Sequence, residues 1–141
     1  MDPKGSSMTL AAPQPAGATR RRLLVVDDNG VNRSLAMAFS SKLGWEVAEA
    51  DRGEACLKRL ASESFDVLLL DISMPGLSVE EVLRRLRATP GLEKLKVVAY
   101  TAHALVEEQR RLLEAGFDHL LIKPISMKSL SEVLASAVAD V

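Results

Sequence analysis

The sequence holds one cysteine, Cys56, and two histidines among its 141 residues. An internal disulfide is therefore excluded, and so is a Cys/His zinc cluster. Aromatic residues make up only 4% of the chain, too few for the stacking platform that single-stranded nucleic acid requires. Net charge is nearly absent, at -1 from 18 basic and 19 acidic side chains, so no global field draws the chain to DNA or to a membrane surface. No apolar run approaches the ~20 residues that span a bilayer. The glycines at 5, 17, 30, 44, 53, 76, 91 and 116 include no G-x-G pair, which removes the dinucleotide fingerprint and the P-loop, and there is no G-x-S-x-G elbow. An apolar patch from Met8 to Thr19 is broken by prolines and Gln14 and is followed by its arginines, the reverse of a secretory signal. These exclusions leave a soluble domain, expected in the cytoplasm. With 48% apolar and 26% charged residues it has the material for an ordinary core.

Composition shifts at residue 22. The first 22 residues are rich in proline, glycine and small residues, and they carry Lys4, Arg20, Arg21 and Arg22 against one acid, Asp2. They are expected to form a disordered tail or linker, with 1–7 reading equally well as an appended leader before a natural start at Met8. The remaining residues, 23–141, hold 14 of the 18 basic and 18 of the 19 acidic side chains, a balance of -4. From Leu23 onward, short apolar runs alternate with stretches of helical length. Leu23 to Val26, Trp45 to Ala48, Val67 to Leu70, Val97 to Tyr100 and His119 to Ile122 read as strands. Between them, Val31, Leu35, Phe39 and Leu43 recur every fourth residue as one helical stripe ended by Gly44. Asp51 and Glu54 give a capping signal for a helix carrying Cys56, Leu57, Leu60 and Ala61. Ser78 and Glu81 do the same for a helix whose inner side is Val79, Val82, Leu83 and Leu86. Gly116 closes the fourth helix, and Ser126 caps the fifth, which carries Leu130, Val133, Leu134 and Val138. Five βα units with strands apolar on both faces predict an α/β fold with a doubly wound parallel sheet.

In such a sheet ligands bind beyond the carboxyl ends of the strands. The residues there are Asp27 and Asp28 after the first strand, Asp71 after the third, Thr101 after the fourth and Lys123 at the end of the fifth. Any one of them has an ordinary explanation as a turn residue, a helix cap or a solvated cation. The coincidence at four strand ends does not. Carboxylates gathered together raise one another's pKa unless a cation sits among them, and an all-oxygen acidic cluster suits Mg²⁺. One acid can then act as nucleophile toward phosphorus, forming an aspartyl phosphate, while an ammonium and a hydroxyl neutralise and bind the transferring group. Asp71, alone at the end of the third strand, is the expected nucleophile, Lys123 the ammonium and Thr101 the hydroxyl. His103 and His119 have no Ser or Cys partner at a recognisable spacing. Cys56, on an apolar helical pattern, reads as a small core residue.

The runs Leu-Leu-Val-Val-Asp-Asp-Asn (Leu23 to Asn29), Asp-Val-Leu-Leu-Leu-Asp-Ile-Ser-Met-Pro-Gly (Asp66 to Gly76), Tyr-Thr-Ala-His-Ala (Tyr100 to Ala104) and Ile-Lys-Pro-Ile (Ile122 to Ile125) resemble the receiver domains of two-component response regulators. Asp-Asp-Asn-Gly-Val-Asn-Arg and Thr-Ala-His-Ala are most similar to receivers of hybrid histidine kinases and phosphorelays. The resemblance implies a flavodoxin-like (βα)5 fold with strand order 2-1-3-4-5, spanning 23–141. It implies that Asp71 accepts a phosphoryl group from a histidine kinase or histidine phosphotransfer protein. Asp27, Asp28, Asp71 and the backbone carbonyl of Ser73 would hold Mg²⁺, Thr101 and Lys123 would contact the phosphoryl group, and the Lys123-Pro124 peptide would be cis. The module would then act on a downstream protein partner, with no direct contact to nucleic acid or membrane, and would catalyse only its own phosphorylation and dephosphorylation. Two positions depart from the family pattern. Leu120 stands where an aromatic switch residue is usual, and Ser78-Val79 replaces a common Asp-Gly pair. Leu120 motivates the alternative of a phosphorylation-independent docking module. A hydrolase with an acidic Mg²⁺ site is disfavoured, because a chain this short has no cap domain to form a substrate pocket.

Overall fold

The computed structural model describes residues 20–102 and 105–139. The leader up to residue 19, with its division at Met8, and His103 lie outside the described residues. In chain order the elements are β1 (Arg22–Val26), α1 (Gly30–Lys42), β2 (Glu46–Ala50), α2 (Gly53–Ser62), β3 (Val67–Asp71), α3 (Val79–Arg87), β4 (Lys96–Thr101), α4 (Val106–Ala115), β5 (His119–Ile122) and α5 (Met127–Ala139). The strands form one parallel sheet in the order β2-β1-β3-β4-β5. The expected doubly wound sheet and its strand order are both present.

The two-residue period of the strands divides the core in two. Leu24, Val26, Leu68, Leu70, Val97 and Ala99 face one way, against Cys56 and Leu60 of α2 and Val82, Leu83 and Leu86 of α3. Leu23, Val25, Val67, Leu69, Val98 and Tyr100 face the other way, against Ala36 of α1 and Leu130 and Leu134 of α5. Because both faces are covered, the inner strands β1 and β3 can be almost entirely apolar.

Helix α3 forms as its sequence signals: the Ser78 hydroxyl accepts the Glu81 N–H at 3.1 Å, and Val79, Val82, Leu83 and Leu86 are buried. The Glu81 carboxylate does not close the capping box, because Arg84 and Arg85 take it. Helix α5 is also capped as expected, with Ser126 Oγ accepting the Ser129 N–H at 3.0 Å.

Two local expectations fail. The stripe Val31, Leu35, Phe39 and Leu43 is not the buried side of α1: Val31 is 79% exposed and Leu35 39%, while Ala36 and Ser40 are the buried residues. Small residues on that side seat the helix on the sheet, and Phe39 and Leu43 flank the contact. Asp51 is not the cap of α2. Strand β2 runs on to Ala50, so the cap position falls on Arg52, in extended conformation and without a side-chain cap bond, and Asp51 pairs with Arg52 instead. The helix then starts on Gly53, where an added Cβ would meet Val82 Cγ2 at 3.0 Å. Glycine there permits the close approach of α2 to α3.

Arg22 belongs to the folded body, opening β1. Its N–H donates to Asp66 Oδ2 at 2.8 Å, its guanidinium donates to the Ser64 carbonyl at 2.7 Å and Glu63 Oε1 at 2.9 Å, and it covers the Phe65 ring. A second clasp ties α3 to the starts of β4 and β5. Asp118 Oδ2 accepts the Val97 N–H at 2.8 Å and Arg87 Nη2 at 3.0 Å, while Arg87 Nη1 donates to the Leu95 carbonyl at 2.8 Å. Asp118→Ala leaves the Val97 N–H without its acceptor and Arg87 Nη2 with only its longer bond to the Gly116 carbonyl, and is expected to cost about 1–3 kcal/mol. A shift of the urea midpoint at constant slope measures it, and an unshifted midpoint would show the clasp to be dispensable.

Candidate active site

Strand register brings the predicted residues to one edge. Val26 pairs with Leu70 and Asp71 with Tyr100, so the residues after β1 and the ends of β3 and β4 lie side by side. Thr101 pairs with Ile122, which places Lys123 next to them. Asp27, Asp71 and Thr101 are three of the four buried polar residues among the described residues, the fourth being Ser40 of α1, and Asp28 is exposed at the rim. Carboxylate oxygens of Asp27, Asp28 and Asp71 lie within 4.8 Å of one another.

Asp71 Oδ1 accepts three donors: the Ser73 N–H at 3.0 Å, the Ser73 hydroxyl at 2.8 Å and Lys123 Nζ at 3.1 Å. Burial penalises its charge, but these bonds outweigh the penalty and hold the carboxyl below the usual aspartate range. Asp27 goes the other way. Burial pushes it up to about 6; the Asn29 N–H on Oδ1 at 2.9 Å pulls against this, and the neighbouring Asp71 carboxylate adds to the rise. The pair is thereby differentiated, with Asp71 ionised and Asp27 the member that holds a proton more readily. Lys123 Nζ also lies over the Tyr100 ring, 4.7 Å from its centroid. The Lys123 N–H donates to the Thr101 carbonyl at 2.7 Å, and the Lys123-Pro124 peptide is cis.

Asp27 Oδ2 is buried and has no hydrogen-bond partner among the described residues. Two acceptor groups turned on one another, one with an unpartnered oxygen, form an arrangement that a hard divalent cation resolves. The donor set fits Mg²⁺.

The other candidates are dispersed. Cys56 is fully buried, and burial pushes its thiol up to about 12, which makes it inert. His119 opens β5 at the opposite end of that strand from Lys123. Leu120 is half-buried and packs against the core that faces α2 and α3. Three residues of the site were given no role in the sequence reading, although they lie within its motifs. Asn29 caps α1, accepting the Asn32 N–H at 2.9 Å, and donates its own N–H to Asp27. Tyr100 underlies Lys123. Arg33 donates to the Asp27 carbonyl at 2.7 Å.

This sheet order, 2-1-3-4-5 with the acids at its carboxyl edge, is the CheY-like fold. The chain belongs to the response regulator receiver domain family, whose pattern matches residues 23–135. It is 37% identical over 123 residues to the sensor protein GacS of Pseudomonas syringae pv. syringae, and 39% identical over 143 residues to the virulence sensor protein BvgS of Bordetella pertussis. Those alignments cover 85% and 92% of this chain but only 14% and 12% of the two sensors, so the chain spans about an eighth of the curated relatives' length. Chemotaxis response regulator CheY4 of Vibrio cholerae superposes with a TM-score of 0.80 at 24% identity, covering 84% of this chain and 99% of that one. The receiver domain of sensor histidine kinase PA1611 from Pseudomonas aeruginosa PAO1, whose structure holds a magnesium ion in its active-site cleft, superposes at 0.78 with 26% identity, covering 86% and 99%. Among the described residues no helix is long and apolar enough to cross a membrane.

Proposed function

We propose that this receiver domain takes a phosphoryl group onto Asp71 from a phosphohistidine on a histidine kinase or histidine phosphotransfer protein. The observation that carries the reading is the Asp71 carboxylate held by Ser73 and Lys123 beside two further acids. An Asp71 oxygen attacks phosphorus, the P–N bond breaks, and the bonding electrons leave with the donor's imidazole nitrogen. Lys123 stays beside the aspartyl phosphate and neutralises part of its charge. Thr101, at the end of β4, supplies a hydroxyl to a phosphoryl oxygen. Asp27, Asp28, Asp71 and the Ser73 carbonyl are the groups that would hold Mg²⁺. When bound, the ion offsets the negative charge gathered by the acids and the incoming group. A cation held there would offset the charge on Asp27 and remove the cause of its raised pKa. The acyl phosphate is read by a downstream protein partner, and the domain turns over no other substrate.

Intact mass after incubation with Mg²⁺ and acetyl phosphate tests this. The expected result is the gain of one phosphoryl group, labile to hydroxylamine as an acyl phosphate is. An unchanged mass, or a stable adduct, would sink the reading.

A further inference from the structure

The three clustered carboxylates are held in different ways. Asp27 is anchored by the Asn29 N–H, and Asp71 by Ser73 and Lys123. Asp28 is exposed, and among the described residues no hydrogen bond or ion pair holds its carboxylate. The placement of its side chain therefore depends on its backbone, and the peptide unit preceding it is pinned. Arg33 Nη1 donates to the Asp27 carbonyl at 2.7 Å, while Nε of the same side chain donates to Glu49 Oε1 at 2.7 Å. A peptide unit is planar, so fixing the Asp27 oxygen fixes the plane from which Asp28 Cα departs.

Helix geometry brings Arg33 to that oxygen. The Arg33 N–H donates to the Asn29 carbonyl at 2.9 Å, in the first turn of α1, and its side chain folds back over Gly30 toward the end of β1. A guanidinium can bond in two fixed directions at once, which a single ammonium cannot reproduce with the same rigidity. Glu49, on β2, holds the other side of the fork and offsets its charge. One side chain thus joins α1, the end of β1 and β2 at the corner where two of the three acids sit.

We infer that Arg33 is a positioning residue for the cation site: through the Asp27 carbonyl it sets the direction of Asp28, with Glu49 as its anchor. This inference rests on the Mg²⁺ reading of the site. Charge alone makes the opposite prediction, since removing a guanidinium near a cation site relieves repulsion and tightens binding. The sign of the change in Mg²⁺ affinity separates the two.

The experiment is calorimetric titration of the whole chain with Mg²⁺, without phosphodonor, for wild type, Arg33→Met and Arg33→Lys, with thermal melting of each metal-free protein alongside. A Kd raised roughly tenfold in Arg33→Met and several-fold in Arg33→Lys, with metal-free melting close to wild type, is the expected result. Equal or tighter Mg²⁺ binding by folded Arg33→Met overturns the inference, and so does lowered melting with unchanged affinity. Should Arg33→Met fail to fold, Arg33→Lys decides by the same criterion. A wild type that binds no Mg²⁺ at millimolar concentration overturns the metal reading and this inference with it. A wild type that binds, with variants that bind equally, overturns the inference alone.

Discussion

Asp71→Asn is expected to lower the rate of phosphoryl uptake from acetyl phosphate by at least about 10³-fold, the scale set by losing a nucleophile. The amide that replaces the carboxylate has no charge to offer phosphorus. The neighbouring acids are poor substitutes. Asp27 is fully buried, with one oxygen taken by the Asn29 N–H and the other assigned to the cation. Asp28 lies at the rim, whereas Lys123 Nζ bonds Asp71 and lies over the Tyr100 ring. Lys123→Met keeps most of the stem over Tyr100 and removes the ammonium, and is expected to slow uptake by about 10²–10³-fold, the cost of losing one preorganised donor to the transferring group. Initial rates of mass gain, with circular dichroism to establish folding, measure both. Uptake by Asp71→Asn at the wild-type rate would place the nucleophile elsewhere. An unchanged rate in Lys123→Met would reduce that residue to a structural partner of Asp71.

The position of the site was legible because a parallel sheet sends every strand's carboxyl end to the same edge. Reading the residues after each apolar run was enough to collect Asp27, Asp28, Asp71, Thr101 and Lys123, and the register of β1, β3, β4 and β5 brings them together. What escaped depends on distances that a linear pattern does not contain. In α1 two stripes were available, and the larger apolar residues Val31 and Leu35 marked the wrong one. The helix sits close to the sheet, and close packing selects Ala36 and Ser40. At α2 the Asp51-x-x-Glu54 pattern was one residue out of phase, because a capping signal does not reveal how far the preceding strand extends. The role of Arg33 was invisible for a further reason: its long side chain returns six residues along the chain to a backbone oxygen, and backbone acceptors leave no mark in a sequence. The acidity of the body was read as pointing to a cation. In the fold it is the differentiation of Asp27 from Asp71, set by which of them receives donors, that gives that acidity its chemistry.

That differentiation makes Asp27→Asn a stabilising substitution in the metal-free protein. In the unfolded chain the Asp27 carboxyl ionises near 3.8; in the fold it does so only near 6, because burial and the Asp71 carboxylate disfavour its charge. A folded pKa above the unfolded one means that the folded state binds the proton more tightly. The resulting stability is fully present below pH 3.8 and is lost as pH rises through 6. Asp71, held below its ordinary value, contributes in the opposite sense: its share is present above the unfolded pKa and is lost as pH falls through the lower folded one. Between about pH 4 and 7 the Asp27 contribution therefore falls with rising pH while that of Asp71 is nearly complete. At ~1.4 kcal/mol per unit, the rise from 3.8 to about 6 caps the Asp27 cost near ~3 kcal/mol. The cleft is open to water beside Asp28, and screening there brings the expected value to about 1–2 kcal/mol. Asparagine keeps an oxygen for the Asn29 N–H and presents an amide donor to the Asp71 carboxylate in place of a second anion. At pH 7.5 in chelator, Asp27→Asn should melt roughly 4–8 °C above wild type, and the difference should fall to about half near pH 5 and vanish only below pH 3.8. Millimolar Mg²⁺ should stabilise wild type and leave Asp27→Asn nearly unmoved, narrowing or reversing the gap. A lower melting temperature for Asp27→Asn at pH 7.5 without metal would show that its carboxylate is compensated in the folded protein, and that Asp27 and Asp71 are not a strained pair awaiting a cation.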